Sequence, residues 1–255
     1  MIIDRPTELD VPSLRALWRE AFSDGDAFLD MFFDTAYSPD RARVARLDGA
    51  IIGALYWFDC EVRGKKCAYI YAVATAISHR GLGVCKTLME DTHKHLRDNG
   101  YEACILVPGS PGLFRFYEKL GYKICSSIGE MHVKAAEEPI GIEKTDKREF
   151  ARLRRKYLPA GGALQEGVSL DLLEAQASFY KGDDFVLAAY KKENELIGLE
   201  LLGNTTEECA AAITRALGAD LARFRTPGDE RPFAMYYPLC DDAFLPPQYF
   251  GLAFD

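Results

Sequence analysis

Residues 79–86 read His79-Arg80-Gly81-Leu82-Gly83-Val84-Cys85-Lys86 and stand between a strand pattern and a helix pattern. The apolar run at 67–75 in front of them predicts a buried strand. Behind them, apolar residues recur at helical spacing up to Asn99-Gly100, a pair that ends helices well. A short apolar run at 103–107 follows, so the order strand, helix, strand predicts a right-handed parallel crossover.

The start of this helix has the chemistry of an anion site. The first backbone N–H groups of a helix lack partners within it, and the helix dipole favours negative charge there. Gly81 and Gly83 carry no Cβ that would hold a ligand away from the main chain, and Arg80 and Lys86 add positive charge. The stretch therefore suits a diphosphate. The alternative is that two glycines and an arginine only form a turn.

The composition excludes several classes of protein. The 255 residues, 48% of them hydrophobic, suffice for one large domain or two modest ones with a real core. A net charge of -8 would repel phosphate backbones, so we expect no nucleic-acid partner. No apolar run approaches the ~20 residues of a membrane helix, and the start shows no secretory pattern. We therefore predict a cytoplasmic protein with no membrane partner.

The cysteines and histidines do not predict a metal site. The seven cysteines include no CxxC pair and fall mostly in apolar segments, so we expect reduced, buried thiols. Two of the four histidines, His93 and His95, lie two residues apart on the predicted helix and point to different faces.

The other elements of the first half predict an α+β fold with a mixed sheet of the α/β type. A short strand at 1–4 precedes two helices, near 10–22 and at 27–37, and a strand hairpin turns at Asp48-Gly49. A further helix at 111–120 ends at Gly121, after which the chain returns to strand.

The apolar pattern lapses near residues 135–139, which predicts two domains, 1–136 and 137–255. The second half loosely repeats the order of elements of the first. Its predicted helices cover 146–157, 169–180 and 205–217, and its predicted strands cover 185–190, 196–202, 221–225, 233–237 and 249–254. The segment Arg215-Ala216-Leu217-Gly218 echoes the first glycine stretch, but its glycine follows a helix, where carbonyls would repel phosphate.

Four segments in order resemble the GCN5-related N-acetyltransferases (GNAT superfamily): 71–75, Arg80-Gly81-Leu82-Gly83, 86–89 and Phe116-Tyr117-Glu118-Lys119-Leu120-Gly121-Tyr122. The resemblance implies a GNAT acyl-CoA N-acyltransferase fold, acetyl-CoA (coenzyme A) as cofactor, and a second domain that is a degenerate, partial copy. The family fingerprint maps onto Arg80, Gly83 and position 85. There the chain has Cys85 instead of Gly or Ala, and a small residue is expected to be tolerated.

The resemblance also implies which residues hold the cofactor. The strand at 67–75 would splay away from that at 103–107 and leave a wedge for the pantetheine arm. Main-chain groups at the strand edge would bind the arm, and the loop would bind the diphosphate. The implied cofactor-binding residues are Val73, Ala74, Thr75, Arg80, Gly81, Leu82, Gly83, Val84, Cys85 and Lys86. The alternative for Val73 to Thr75 is that they only fill core.

Tyr117 is the implied catalytic residue, since the family places this tyrosine near the coenzyme sulfur. A phenol can protonate a departing thiolate or donate a hydrogen bond to it. The alternative is one of 13 tyrosines that packs a helix on a sheet. The general base stays open, with Asp59, Glu61 and the terminal carboxylate of Asp255 as candidates by position.

The sequence therefore predicts an N-acetyltransferase that transfers an acetyl group to a primary amine by direct attack in a ternary complex. Both a small-molecule amine and a peptide amine stay open as the acceptor, because acceptor pockets in the family come from variable helices such as 27–37. The alternative is a non-catalytic module that binds coenzyme A or another protein. Neither the acceptor nor the oligomeric state follows from the sequence.

Overall fold

The computed structural model describes residues 1–22, 24–240 and 244–254, and they form two compact units. As far as it is described, unit 1 comprises residues 1–60, 64–123 and 236–245, and unit 2 comprises 61–63, 124–235 and 246–255. The predicted boundary at 136/137 falls within unit 2, and the two-domain division at that point stays a prediction.

Unit 1 is built on five strands in the order β1-β2-β3-β4-β5. Pairs β1·β2 and β2·β3 are antiparallel, whereas β4·β5 is parallel, which confirms that the predicted crossover is parallel. The strands are β1 (Ile2–Asp4), β2 (Ala42–Leu47), β3 (Ala50–Val62), β4 (Lys65–Thr75) and β5 (Ala103–Leu106). The helices are α1 (Val11–Ala21), α2 (Asp26–Thr35), α3 (Val84–Asp98) and α4 (Pro111–Lys119).

Aromatic side chains attach α1 and α2 to the sheet of unit 1. The ring of Trp18 on α1 lies 4.7 Å from that of Phe32 on α2, measured between centroids. It also lies 5.5 Å from Tyr56 on β3 and 5.9 Å from Tyr71 on β4. Trp18 and Phe32 are buried, so this cluster fixes both helices over the middle of β3 and β4.

Unit 2 has the strand order β13-β6-β12-β11-β10-β9-β7, in which β11·β12 is parallel. Its strands are β6 (Lys123–Lys134), β7 (Glu143–Thr145), β8 (Leu164–Gln165), β9 (Ser178–Lys181), β10 (Phe185–Lys192), β11 (Glu195–Gly203), β12 (Leu221–Pro227) and β13 (Arg231–Pro238). Its helices are α5 (Lys147–Tyr157), α6 (Val168–Gln176) and α7 (Glu207–Ala216). The residues of β13 from 236 onward belong to unit 1.

Two predictions for the second half were wrong. The helix expected over 169–180 ends at Gln176, because Ala177 takes an extended conformation and the residues after it pair as β9 with β10. The strand expected over 249–254 is irregular chain with one isolated bridge, from Tyr249 to Gly162. Its apolar residues are buried, and the Leu252 carbonyl accepts a hydrogen bond from the Gln165 amide. Burial without regular pairing gave this segment the pattern of a strand.

A buried ion pair holds α5 to β11 within unit 2. Arg154 donates from Nε to Glu200 Oε2 at 2.6 Å and from Nη2 to Oε1 at 3.1 Å. The Tyr249 hydroxyl donates to Glu200 Oε1 at 3.2 Å. Both charged side chains are only 1% exposed, so removal of either partner would leave a buried, uncompensated charge.

We predict that Arg154→Ala lowers the free energy of unfolding by about 3–5 kcal/mol in a urea titration of the full chain. The neighbouring Arg155 provides the matched control, because its side chain is 60% exposed and pairs with Glu166 at the surface. Arg155→Ala should cost less than about 1 kcal/mol. Equal losses in the two variants would show that the buried pair contributes nothing beyond a surface pair.

Candidate active site

The pairing between β4 and β5 ends early in unit 1. The parallel register comprises only three pairs, from Cys67 with Ala103 to Tyr69 with Ile105, although β4 continues to Thr75. Ala72 lies in the part of β4 beyond its pairing with β5. Its φ is +47°, which is a strained backbone conformation for alanine. The family resemblance implied a wedge at this point, and the wedge stays a prediction; the side of β4 beyond Tyr69 that has no partner on β5 is called the gap below.

Backbone alternation decides which groups of β4 face the gap. The Ala76 N–H donates to the Ile52 carbonyl of β3, and the Ala74 carbonyl lies beside Gly53 of the same strand. Because N–H and C=O groups alternate sides along a strand, Val73 and Thr75 turn their polar groups to the gap and Ala74 does not. The Thr75 carbonyl already accepts a hydrogen bond from Arg80 Nε at 3.1 Å. Val73 therefore has the freest main chain of the three residues.

The loop before α3 presents a row of backbone N–H groups without partners. Among the described residues, none accepts a hydrogen bond from the N–H groups of residues 81–86. Gly83 is the N-cap, no side chain caps the helix, and its first turn contains no acidic residue. Gly81 and Gly83 have φ of +77° and +81°, and the space that a Cβ would occupy on either residue is open. These are the properties of an anion site.

Two cationic side chains border this row. Arg80 is anchored by its bond to Thr75, which fixes the guanidinium next to the loop. Lys86 is exposed, and its ammonium group lies 3.8 Å from the Glu90 carboxylate one turn later. An ion pair as exposed as Lys86–Glu90 contributes little stability. Lys86 can therefore leave Glu90 and bind an anion of higher charge.

Helix α7, which takes the place of α3 in the order of elements of unit 2, has no such anion site. Only residues 204–206 connect β11 to α7, and the Thr206 hydroxyl caps the helix by accepting from the Cys209 N–H at 3.3 Å. Glu207 and Glu208 place negative charge in its first turn. Gly218 follows the end of α7, as predicted, and its carbonyl accepts a hydrogen bond from Lys191. Neither end of α7 therefore suits a phosphate.

Tyr117 lies on α4 beside the start of α3. Its side chain is 8% exposed, and its hydroxyl forms no hydrogen bond with any residue that the structure describes. Burial raises its pKa above the ordinary value of 10, and the neighbouring Cys85 raises it further. Burial also raises the pKa of the Cys85 thiol, to about 11. The two side chains thus meet as a neutral phenol and a neutral thiol.

Tyr117 packs against Tyr122, which is hydrogen-bonded to the buried His93. The Tyr117 ring packs edge-on against Tyr122 at 5.7 Å, and the Tyr122 hydroxyl shares a hydrogen bond with His93 Nε2 at 2.8 Å. Tyr237 stacks on the His93 ring at 4.2 Å. Nothing in the sequence pattern pointed to this network, because its members lie on three separate segments.

The comparisons identify the family of the first unit. Residues 3–125 match the family model described as an acetyltransferase (GNAT) domain. This part of the chain is a GNAT domain. The resemblance seen in the sequence is confirmed, as are the α+β mixed-sheet fold and the assignment to the acyltransferases. No protein of curated function matches the sequence significantly.

Several solved structures share the fold over nearly the whole chain. The GCN5-related N-acetyltransferase from Kribbella flavida is 16% identical, with a TM-score of 0.70 over 92% of this chain and 70% of its own. The one from Anabaena variabilis is 12% identical, with a TM-score of 0.74 over 94% and 73%. A putative acetyltransferase from Pyrococcus horikoshii is 13% identical, with a TM-score of 0.64 over 99% and 94%.

Unit 2 repeats the order of elements of unit 1 in part. Both units contain a strand, two helices, three strands, a helix and a further strand in this order, apart from the two-residue β8. In the GNAT domain α4 comes next and carries Tyr117, whereas in unit 2 β12 is followed directly by β13. The second copy therefore lacks both the loop and the helix that form the candidate site.

The general base stays open among the three candidates. Asp59 accepts a hydrogen bond from the Tyr101 hydroxyl, and Arg41 Nη1 lies 3.9 Å from its other oxygen. Glu61 belongs to unit 2. Asp255 lies outside the described residues. No sequence signal selects among them.

Among residues 1–22, 24–240 and 244–254, no group of three or more His, Cys, Asp or Glu side chains could hold a metal ion, and no helix is both long and apolar enough to cross a membrane. All seven cysteines are free thiols.

We predict that His93 makes the folded chain acid-sensitive. Burial, with a smaller contribution from Arg97, lowers its pKa from 6.5 to about 4. The unfolded chain therefore binds this proton first, and the stabilisation present above pH 6.5 is lost as the pH falls towards 4. The full loss is roughly 3 kcal/mol. In urea titrations between pH 7 and 4, His93→Asn should lose stability less steeply than wild type.

A second variant distinguishes the effect of protonating His93 from the effect of losing its hydrogen bond to Tyr122. Tyr122→Phe removes the hydroxyl partner but retains the imidazole, so this variant should be less stable at every pH and keep the wild-type slope. Parallel curves for wild type and His93→Asn would contradict the prediction.

Proposed function

We propose that the protein is an acetyl-CoA-dependent N-acetyltransferase that transfers the acetyl group to a primary amine by direct attack in a ternary complex. The observation that carries the proposal is the row of unengaged N–H groups at residues 81–86, at the start of a helix that borders the β4–β5 gap. An anion site at the mouth of a strand gap fits a ligand with a diphosphate at one end and a long, narrow arm.

The residues around the gap fit coenzyme A. The N–H groups of residues 81–86 would hold its diphosphate, and the open space at Gly81 and Gly83 allows close approach to the main chain. Arg80 and Lys86 add charge-assisted contacts. β5 pairs with β4 only as far as Tyr69. Beyond that point, the main chain of Val73 would form hydrogen bonds with an amide of the pantetheine arm. When bound, acetyl-CoA supplies the thioester that is attacked.

Tyr117 fits the role of hydrogen-bond donor to the leaving sulfur. A thiolate has a basicity near 8.5, and the buried phenol has a pKa above 10, so full proton transfer from Tyr117 would be uphill. The hydroxyl instead holds its proton and stabilises the developing negative charge by a hydrogen bond. Its location in a poorly solvated site strengthens that interaction.

We predict that Gly83→Ala weakens coenzyme A binding by about tenfold or more, because the methyl group occupies the space where the diphosphate would approach. The positive φ alone would strain the alanine by ~1–2 kcal/mol. Gly100→Ala controls for this strain, since Gly100 at the other end of α3 has a φ of +78° and open space around it. Calorimetric titrations should show unchanged affinity for Gly100→Ala. Equal affinities for all three proteins would refute the proposed diphosphate site.

We predict that Tyr117→Phe lowers kcat by roughly 10²-fold and leaves coenzyme A affinity within about twofold. Thiol release from acetyl-CoA with a reactive amine measures the rate. Tyr101→Phe removes an equally buried hydroxyl, 8% exposed in both residues, and should turn over normally. A slow Tyr101→Phe enzyme would implicate Asp59, its hydrogen-bond partner, whereas unchanged turnover in Tyr117→Phe would remove Tyr117 from the mechanism.

The second candidate function is a non-catalytic module that binds coenzyme A or a protein. This function is favoured for unit 2 alone. Its helix α7 is capped by Thr206 and has two glutamates in its first turn, so unit 2 lacks the anion site. A panel of polyamines, amino acids, aminoglycosides and peptides separates the two functions. Release of thiol only in the presence of an amine supports the transferase, and binding of coenzyme A without release for any amine supports the module.

A further inference from the structure

Unit 2 contains a second pair of parallel strands that diverges. β11 and β12 pair from Glu195 with Leu221 to Gly198 with Phe224, and both strands continue beyond this point. Next to the last pair, β11 has one extra residue, because Ala188 of β10 pairs with Glu200 and Ala189 pairs with Gly198. This bulge at Leu199 bends β11 where the gap begins.

One side of this gap is closed by an aromatic ring. A Cβ on Gly198 would lie 2.3 Å from Cδ1 of Phe224, so the ring rests directly on the glycine backbone. Phe224 is 1% exposed and packs with Ile213 and Cys209 of α7. No ligand arm can pass through the sheet here, and only the face opposite α7 stays open.

On that open face, four strands align one residue each. The register pairs Tyr190 with Ile197, Ile197 with Arg223, and Arg223 with His132. Side chains directly opposite one another share a face of a sheet, so these four form a row. They line a pocket of about 140 Å³ together with Glu130, Leu199 and Arg225.

The charges in this pocket are not balanced. Glu130 is engaged by Arg231, at 2.5 Å, and this hydrogen bond lowers its pKa. Arg225 is held by the carbonyls of Gly251 and Ala253. Arg223 forms no hydrogen bond or ion pair with any residue in the described part of the chain. A guanidinium with all its donors available thus stands over apolar side chains, in a chain whose net charge is -8.

We propose that this pocket binds a small organic carboxylate. Arg223 would hold the carboxylate through its planar pair of N–H donors, a geometry that matches the two oxygens. Tyr190, Ile197 and Leu199 would contact the apolar body of the ligand. A carboxylate fits better than a phosphate dianion, because the pocket offers one unengaged guanidinium and contains the Glu130 carboxylate. The site does not depend on the proposed acetyl transfer.

Titration of the full chain with benzoate tests this assignment. A ligand of about nine heavy atoms should bind with a Kd on the order of 1 mM. Arg223→Gln should weaken benzoate at least tenfold, and Arg155→Gln, which alters an exposed arginine elsewhere in unit 2, should leave it unchanged. Benzamide, the neutral analogue, should not bind measurably. Tyr190→Ala should weaken benzoate more than it weakens acetate.

Three results would overturn the proposal. Benzoate that fails to bind wild type would show that the pocket is no ligand site. Equal affinities in wild type and Arg223→Gln would place benzoate elsewhere. Inorganic phosphate that binds more tightly than benzoate and depends on Arg223 would show that the site selects a phosphate and not a carboxylate.

Discussion

The early end of the β4–β5 pairing determines the rest of the candidate site. A backbone N–H or C=O group that is buried without a partner costs free energy, so a strand edge that loses its neighbour must gain water or a ligand in its place. β4 loses its neighbour after Tyr69, and the helix that follows starts without a cap. In the proposed function, a single ligand with amide and phosphate groups satisfies both.

The two units show how one order of elements can retain or lose such a site. Each contains a parallel pair whose two strands are connected by a helix, but the chemistry at the start of that helix differs. The first has glycines with positive φ and no acidic residue at the helix start. The second has a threonine cap, two glutamates and a phenylalanine ring over the gap. The two units share the order of elements, and these few residues determine whether an anion can bind at the start of the helix.

The sequence predicted the crossover, the glycine loop and the helix after it, because periodicity and glycine placement are local signals. It did not predict the strained φ of Ala72, since alanine carries no signal for that conformation. It assigned Ala74 to the gap, but backbone direction depends on the pairing of β4 with β3, which is a tertiary property. The irregular segment after Tyr249 was mistaken for a strand because its apolar residues are buried, although its main chain bonds to side chains and single backbone groups rather than in a ladder.

Unit 1 includes residues 236–245, which are distant in the chain from the rest of the GNAT domain. Tyr237 stacks on His93, and the Leu239 carbonyl accepts a hydrogen bond from Arg97, so α3 depends on residues more than a hundred positions downstream. A recombinant fragment that stops at residue 125, where the family model ends, would expose the His93 ring and leave the Arg97 side chain without this acceptor. The end of the family match therefore leaves out part of the unit against which α3 packs.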